Sequence, residues 1–164
     1  MGDLYEDGSP LILSKYCDNV IAIDKDPICI KTLNIMLRDR NITNVVPICD
    51  DYKSQINLLM KKDIDYMNVD PCGLNDIGDK NDLECLTELF KRIPLVSFTV
   101  PIRGMTKETL EKYFGIKINK KVKDTNLFIE KILEYYEEKG VKFINYGRTA
   151  PLYFRLYKGF NRMW

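Results

Sequence analysis

Short apolar runs rich in β-branched residues alternate along the chain with segments whose apolar positions recur at helical spacing. The runs are bounded by acids, prolines or glycines, which is typical of buried strands that end in loops. They predict strands over residues 19–24, 45–49, 64–69, 95–100, 141–146 and 152–158. The intervening segments predict helices over residues 10–16, 26–40, 52–62, 82–92, 106–114 and 125–139.

Strands that alternate with helices predict an α/β fold with a doubly wound, mostly parallel sheet and helices on both faces. The last two strands are joined by residues 147–151 and add a C-terminal antiparallel hairpin. Pro47 indicates an edge or irregular position for its strand, because proline cannot donate to a central ladder. Ser9 is the expected N-cap of the first helix, with Pro10 at its first position. A length of 164 residues without a repeat or a low-complexity linker predicts one domain, residues 1–164.

The amino-acid composition limits the partners, the cellular location and the catalytic groups that we expect. The 25 basic and 24 acidic residues nearly balance, so net charge neither indicates nor excludes a nucleic-acid partner. Apolar runs stay well short of a membrane span and no secretory leader is evident, so we expect a cytoplasmic protein. Five irregularly spaced cysteines and the lack of histidine predict reduced thiols and no metal site. Catalysis would need carboxylates, Lys, Tyr, Cys or a cofactor.

Acidic residues follow several of the predicted strands. Asp70 ends the run 64–69 and precedes Pro71, at the carboxyl end where a parallel sheet opens its ligand crevice. Asp24 is placed to hydrogen-bond the hydroxyls of a ribose, and Asp50 or Asp51 can accept from an adenine amino group. Each acid also has a structural interpretation. Asp70 and Asp24 can cap the helices that follow them, and Asp50 and Asp51 can form an Asx-turn.

The order of these parts resembles the class I methyltransferases that use S-adenosylmethionine. Their pattern is a glycine-rich loop after strand one, acids ending strands two and three, D/N-P-P-x or D-P-x-G ending strand four, and a seven-stranded sheet finished by an antiparallel hairpin. The matching segments here are residues 3–9, 22–26, 49–51 and 68–73. The resemblance implies S-adenosylmethionine as cofactor, bound by Asp3, Tyr5, Gly8, Ser9, Asp24, Lys25, Asp50 and Asp51.

The fourth motif, Asp70-Pro71-Cys72-Gly73, resembles the D-P-F/Y-G of tRNA guanine-N2 methyltransferases. By that resemblance, Asp70 contacts the exocyclic amine and helps to remove its proton, while Pro71 and the Cys72 carbonyl position the amine. Cys72 stands where those enzymes have an aromatic residue, and Leu74 where they have serine.

The first loop departs from the family pattern. Only Met1 and Gly2 precede Asp3, so we expect the first strand to be truncated or missing. Glu6 and Asp7 would repel the carboxylate of the cofactor, and Pro10 removes a backbone donor. These departures favour an alternative, a non-catalytic protein of this fold that binds nucleic acid or a protein partner.

The C-terminal stretch interleaves basic and aromatic residues, as single-stranded or flipped-base binders require. Lysines within residues 117–123 can extend this surface. The alternative is ordinary half-buried strand patterning beside a solvated lysine loop. The candidate nucleic-acid contacts are Arg148, Arg155, Lys158 and Arg162.

These observations together predict methyl transfer to a base amine of nucleic acid, with RNA (tRNA guanine N2) favoured over DNA. Such a reaction needs neither metal nor histidine, since the enzyme mainly supplies proximity and orientation. A nicotinamide oxidoreductase is disfavoured because the G-x-G-x-x-G turn is lacking.

Overall fold

The computed structural model describes residues 8–71, 78–101, 106–117, 125–150 and 153–159. The chain divides into two compact units, Met1–Gln55 and Ile56–Trp164. The predicted single domain over residues 1–164 stays a prediction. Residues 3–7, which bear on the predicted loss of strand one, lie outside the described residues. No helix in the described ranges is long and apolar enough to span a bilayer.

Helices and strands alternate as the apolar pattern predicts. The helices are α1 (Ser9–Leu13), α2 (Pro27–Asp39), α3 (Tyr52–Leu59), α4 (Lys80–Arg92), α5 (Lys107–Phe114) and α6 (Thr125–Glu138). The strands are β1 (Val20–Asp24), β2 (Val45–Cys49), β3 (Tyr66–Val69), β4 (Leu95–Pro101), β5 (Asn145–Ala150) and β6 (Tyr153–Lys158).

In the first unit, β1 and β2 pair in parallel, from Val20 opposite Val45 to Asp24 opposite Cys49. Because side chains alternate between the two faces of a strand, Val20, Ala22 and Val45 all contribute to one core. Leu11 of α1 and Leu37 of α2 are buried in the same core. Among the described residues β2 pairs only with β1, which agrees with the edge position predicted from its proline.

The starts of the first two helices differ in how well the sequence predicts them. The sequence predicts a helix from residue 26, and Asp26 is the N-cap of α2, where its side chain accepts from the Ile28 amide at 2.8 Å. The prediction that Ser9 is the N-cap of the first helix is wrong. Gly8 occupies the cap of α1, and its carbonyl accepts from the amide of Leu11 at 2.8 Å. Proline is tolerated anywhere in the first helical turn, so Pro10 alone does not fix the start of the helix.

In the second unit the strand order is β3-β4-β6-β5. Strands β3 and β4 pair in parallel, whereas β6 is antiparallel to both β4 and β5. The predicted α/β fold with a C-terminal antiparallel hairpin is confirmed.

The first hairpin strand begins later than predicted. The sequence predicts it at residue 141, but β5 begins at Asn145. The reason lies in the end of α6: Gly140 has a φ of +83°, and the Val141 amide donates to the Tyr136 carbonyl at 2.8 Å. Val141 therefore closes the helix and is buried there, instead of starting the strand.

The sheet of the second unit has two different faces. Four side chains on one face, Val96, Phe98, Val100 and Leu156, are fully buried. They share that face with rings from the helices, since Phe90 of α4 lies 5.4 Å and Tyr136 of α6 lies 6.0 Å from the Phe98 ring, centroid to centroid. The opposite face carries polar residues, among them Thr99 of β4 and Arg155 of β6, which pair with each other.

Candidate functional site

The structure describes most of the predicted site residues. Gly8, Ser9, Asp24, Lys25, Asp50 and Asp51 belong to the first unit, and Asp70, Pro71, Arg155 and Lys158 to the second. Arg148 is described by its backbone alone, within β5. Asp3, Tyr5, Cys72, Gly73, Arg162 and residues 118–123 of the lysine stretch lie outside the described residues.

Asp24 and Asp50 are brought together at the carboxyl end of the β1–β2 pair. The Asp50 amide donates to the Asp24 carbonyl at 3.1 Å, which extends the parallel ladder by one step. The two acids are therefore neighbours at the edge where parallel sheets bind ligands. Asp24 is exposed and Asp50 is half-buried.

Asp24 uses only one of its two carboxylate oxygens in hydrogen bonds with described residues. Its Oδ1 accepts from the Asp26 amide at 2.8 Å, and among the described residues no donor is recorded for Oδ2. The helix that follows is capped by Asp26, so the interpretation of Asp24 as a helix cap does not apply. An exposed carboxylate oxygen at this edge is available to accept hydrogen bonds from hydroxyl groups.

Asp50 and Asp51 are engaged locally. Asp50 accepts from the Asp51 amide at 2.7 Å through Oδ1 and from Gln55 Nε2 at 2.6 Å through Oδ2. Asp51 accepts from the Lys53 amide at 3.0 Å, and its other oxygen lies 3.4 Å from Lys53 Nζ. These contacts form the Asx-turn that the sequence offered as an alternative. Each Asp50 oxygen still has a second lone pair for a further donor.

Gly8 and Ser9 are placed at the start of α1, and both are exposed. Lys25 follows β1 directly and is exposed as well. All three therefore face solvent in the first unit.

Asp70 lies directly after β3 and forms an ion pair with Arg155 of β6. Arg155 Nη2 is 3.1 Å from Asp70 Oδ2, and Arg155 Nε donates to Thr99 Oγ1 at 3.1 Å. Thr99 belongs to β4, the strand between β3 and β6, and is 2% exposed. The Asp70 side chain is 52% exposed and that of Arg155 is 30% exposed. Pro71 is buried.

Sequence reasoning missed this arrangement of Asp70, Thr99 and Arg155. It requires the strand order β3-β4-β6 and the register that places Thr99 opposite Arg155. Period-two alternation already puts residues 153, 155 and 157 on one face, but it does not say which strand lies beside them.

Lys158 lies on the opposite face of β6 from Arg155, because the two residues are three positions apart. Its ammonium donates to the carbonyls of Phe90, Lys91 and Ile93 at the end of α4, with distances of 3.2 Å to Lys91 and 2.8 Å to Ile93. Its three N–H donors thus have three acceptors. Burial lowers the pKa of this ammonium. Arg155 and Lys158 do not share one surface, and their role in nucleic-acid binding stays a prediction.

Metal ligands are not grouped in the described part of the chain, where no cluster of three or more His, Cys, Asp or Glu side chains occurs.

No family model and no curated protein matches the sequence. Solved structures do match. A Methanococcus jannaschii fibrillarin, a pre-rRNA processing protein, is 17% identical over 85% of this chain and 55% of its own, with a TM-score of 0.52. Fibrillarin in complex with Nop5p is 14% identical over 85% of this chain and 60% of its own, with a TM-score of 0.50. M. jannaschii TYW2 in complex with AdoMet is 19% identical over 88% of this chain and 58% of its own, with a TM-score of 0.43.

The chain thus spans between 55% and 60% of the length of these three proteins. The two fibrillarin structures are similar to this chain in fold, and identities of 17% and 14% support a statement about the fold alone. The chain has the class I methyltransferase-like α/β fold.

Proposed function

We propose that this chain transfers a methyl group from S-adenosylmethionine to an amine nitrogen of a nucleic-acid base, with RNA favoured over DNA and tRNA guanine N2 as the preferred target. One observation carries the proposal. Asp24 and Asp50 are adjacent at the carboxyl end of a parallel strand pair, within a class I methyltransferase-like fold. That is the edge at which this kind of sheet binds ligands.

The donors and acceptors of the first unit fit the proposed cofactor. Asp24 offers an exposed carboxylate oxygen for the two hydroxyls of a ribose, and the neighbouring Asp50 is the proposed acceptor for an adenine amino group. Gly8, Ser9 and Lys25 are exposed, and Asp51 is half-buried. The proposal assigns them to the cofactor together with Asp3 and Tyr5.

The second unit supplies the proposed acceptor of a proton. When bound, S-adenosylmethionine would supply an electrophilic methyl carbon and a neutral thioether leaving group for methylation of the base nitrogen, which would then have to lose a proton. The proposal gives that proton to the Asp70 carboxylate, which is half-exposed and acts as general base. Buried Pro71 fixes the backbone beside it, and Cys72 and Gly73 complete the proposed loop.

Two observations favour RNA as the substrate. The structurally similar fibrillarin is a pre-rRNA processing protein. The motif Asp70-Pro71-Cys72-Gly73 resembles that of tRNA guanine-N2 methyltransferases. The proposal keeps Arg148 and Arg162 as contacts to the nucleic acid. It gives Arg155 and Lys158 other roles, because Arg155 contacts Thr99 and Asp70 and Lys158 contacts the end of α4.

A thermal melt with S-adenosylmethionine and with S-adenosylhomocysteine tests the cofactor. Ligand at about a hundred times its dissociation constant stabilises the folded state by about 2.7 kcal/mol. For a domain of this size the melting temperature should rise by about 5–10 °C. Labelled S-adenosylmethionine with unmodified tRNA, and with single-stranded DNA of matched length, then tests transfer.

The matched pair of variants is Asp24→Ala and Asp39→Ala. Asp39 is an exposed carboxylate of the same unit, paired only with neighbouring Arg38 among the described residues. Loss of charged hydrogen bonds predicts at least about tenfold weaker cofactor binding for Asp24→Ala. Asp39→Ala should bind as the parent does. Equal binding by both variants would show that the ribose is not at Asp24.

A non-catalytic protein of this fold is the second candidate. It is favoured by the local engagement of Asp50 and Asp51, whose four carboxylate oxygens all have partners within residues 50–55. A folded protein that shows no shift with millimolar cofactor but binds RNA would establish this candidate and overturn the enzyme.

A further inference from the structure

We infer that Arg155 is a positioning residue, which holds the Asp70 carboxylate in one orientation for proton acceptance and does not serve as a phosphate contact. The inference rests on the proposed function and deepens it, because it assigns the second-unit site a supporting residue. Its basis is a chain of two contacts, Thr99 to Arg155 and Arg155 to Asp70.

The first contact anchors the guanidinium. Thr99 and Arg155 are directly opposite each other on antiparallel β4 and β6, so their side chains share one face of the sheet. Arg155 Nε donates to Thr99 Oγ1 at 3.1 Å. The Thr99 side chain is nearly fully buried, and its strand β4 lies between β3 and β6. Arg155 is therefore held at a fixed and rigid point.

The second contact sets the carboxylate. The guanidinium is planar and its N–H groups point in fixed directions, so anchoring Nε also fixes the direction of Nη2. That nitrogen lies 3.1 Å from Asp70 Oδ2. Among the described residues no donor is recorded for Asp70 Oδ1. One oxygen is thus held by Arg155 and the other is left to face the amine.

The same contacts argue against a phosphate role for Arg155. Two of its five N–H donors already have partners. The Asp70 carboxylate next to it offsets its charge and repels a phosphate. The side chain is 30% exposed, whereas an exposed arginine such as Arg38 has 78% of its side chain in solvent.

The test separates turnover from RNA affinity. The variants are Arg155→Gln, which removes both contacts, and Thr99→Val, which removes only the anchoring hydroxyl. Arg38→Gln is the matched control, because Arg38 is an exposed arginine of the first unit. We expect kcat to fall about tenfold to a hundredfold for Arg155→Gln and less for Thr99→Val, because small displacements of a catalytic group reduce the rate by such factors. The Kd for RNA and for S-adenosylmethionine should stay within about twofold of the parent value.

Arg155→Lys adds a conservative variant. A single ammonium cannot reproduce a fork that contacts a hydroxyl and a carboxylate at once. We therefore expect partial rescue, with kcat between those of the parent and Arg155→Gln. A purely electrostatic contact to phosphate would be restored fully by lysine.

A double-mutant cycle with Asp70→Asn establishes whether Arg155 acts through Asp70. If it does, Arg155→Gln should change kcat little once Asp70 is asparagine, because the group it positions has been disabled. A merely structural role predicts the same further loss in both backgrounds.

Two results would overturn the inference while the enzyme assignment stands. One is an Arg155→Gln variant with parental kcat and weakened RNA binding whose salt dependence is reduced, as expected of a phosphate contact. The other is an additive cycle. A parent protein that neither binds S-adenosylmethionine nor methylates RNA would instead show that the proposed function has failed, and the inference with it.

Discussion

The two faces of β6 use basic residues in opposite ways. Arg155 contacts a buried hydroxyl and a half-exposed carboxylate beside the end of β3. Lys158, three residues later, donates to the last carbonyls of α4. An odd separation along a strand sends two side chains to opposite faces of the sheet. Basic residues that are close in sequence are therefore not evidence of one basic surface.

The difference comes from what covers each face. On the face of Lys158, fully buried Leu156 and Phe98 pack in the aromatic core, and α4 ends nearby with carbonyls that lack helical partners. A cation there completes a helix. On the face of Arg155 the neighbours are Thr99 and Asp70, so a cation there orients a carboxylate. One face stabilises the fold, and the other organises the candidate site.

The largest effect is expected from Leu156→Ala, on the stabilising face. Leu156 is fully buried, so the truncation removes apolar contacts and leaves a cavity, which predicts a loss of about 2–5 kcal/mol in the free energy of unfolding. Urea denaturation measures it, with Leu58→Ala, at an exposed leucine, as control. A loss below about 1 kcal/mol would contradict the assignment of this face to the core.

The second prediction concerns the residue that follows β6. Gly159 has a φ of +81°, and a Cβ at this position would overlap the Pro94 carbonyl oxygen. Gly159→Ala should therefore lower the free energy of unfolding by more than the 1–2 kcal/mol or so expected for the left-handed conformation alone.

Gly115→Ala is the matched control for that prediction. Gly115 is also left-handed, with a φ of +67°, but a Cβ there would meet nothing within 4 Å. Comparison of the two variants in urea isolates the contribution of the close approach between Gly159 and Pro94. Equal losses would show that the end of β6 tolerates a side chain beside α4.

Local signals in the sequence predicted part of this structure well. Residues 45–49 form β2 as predicted, because a β-branched apolar run bounded by acids and asparagine has few other uses. The predicted start of a helix at residue 26 agrees with α2, which Asp26 caps and which has Pro27 in its first turn.

Two features were not predicted from the sequence, one set by a local helix end and the other by a tertiary contact. Val141 has the β-branched side chain of a strand residue, yet it closes α6, because the left-handed Gly140 directs its amide to the Tyr136 carbonyl. The contact between Arg155 and Asp70 joins residues 85 positions apart. It depends on β4 lying between β3 and β6, and no local pattern encodes that neighbourhood.

Lys158→Met should have a moderate effect on stability and little effect on the candidate site. The substitution keeps the apolar stem but removes the charge-assisted hydrogen bonds to the end of α4, which predicts a loss of about 1–2 kcal/mol. Lys142→Met, at an exposed lysine, is the control. Parental stability would show that water replaces the ammonium at these carbonyls without cost, whereas a changed kcat would link the two faces.

The smallest effect is a dependence of stability on pH. Burial lowers the pKa of Lys158 below its usual 10.5, so between the lowered value and 10.5 the unfolded chain binds more protons than the folded one. Through this group, the free energy of unfolding must therefore rise with pH across that window. At pH values below the window, the folded state bears the full cost of the half-buried charge. The Lys158→Met variant lacks this pH-dependent contribution to stability, whereas all other titrating groups are the same in the parent and the variant. Urea midpoints between pH 8 and pH 10.5 should show the parent gaining stability relative to the variant. A parent that instead lost stability relative to Lys158→Met would mean that the three carbonyls outweigh burial and hold the ammonium charged.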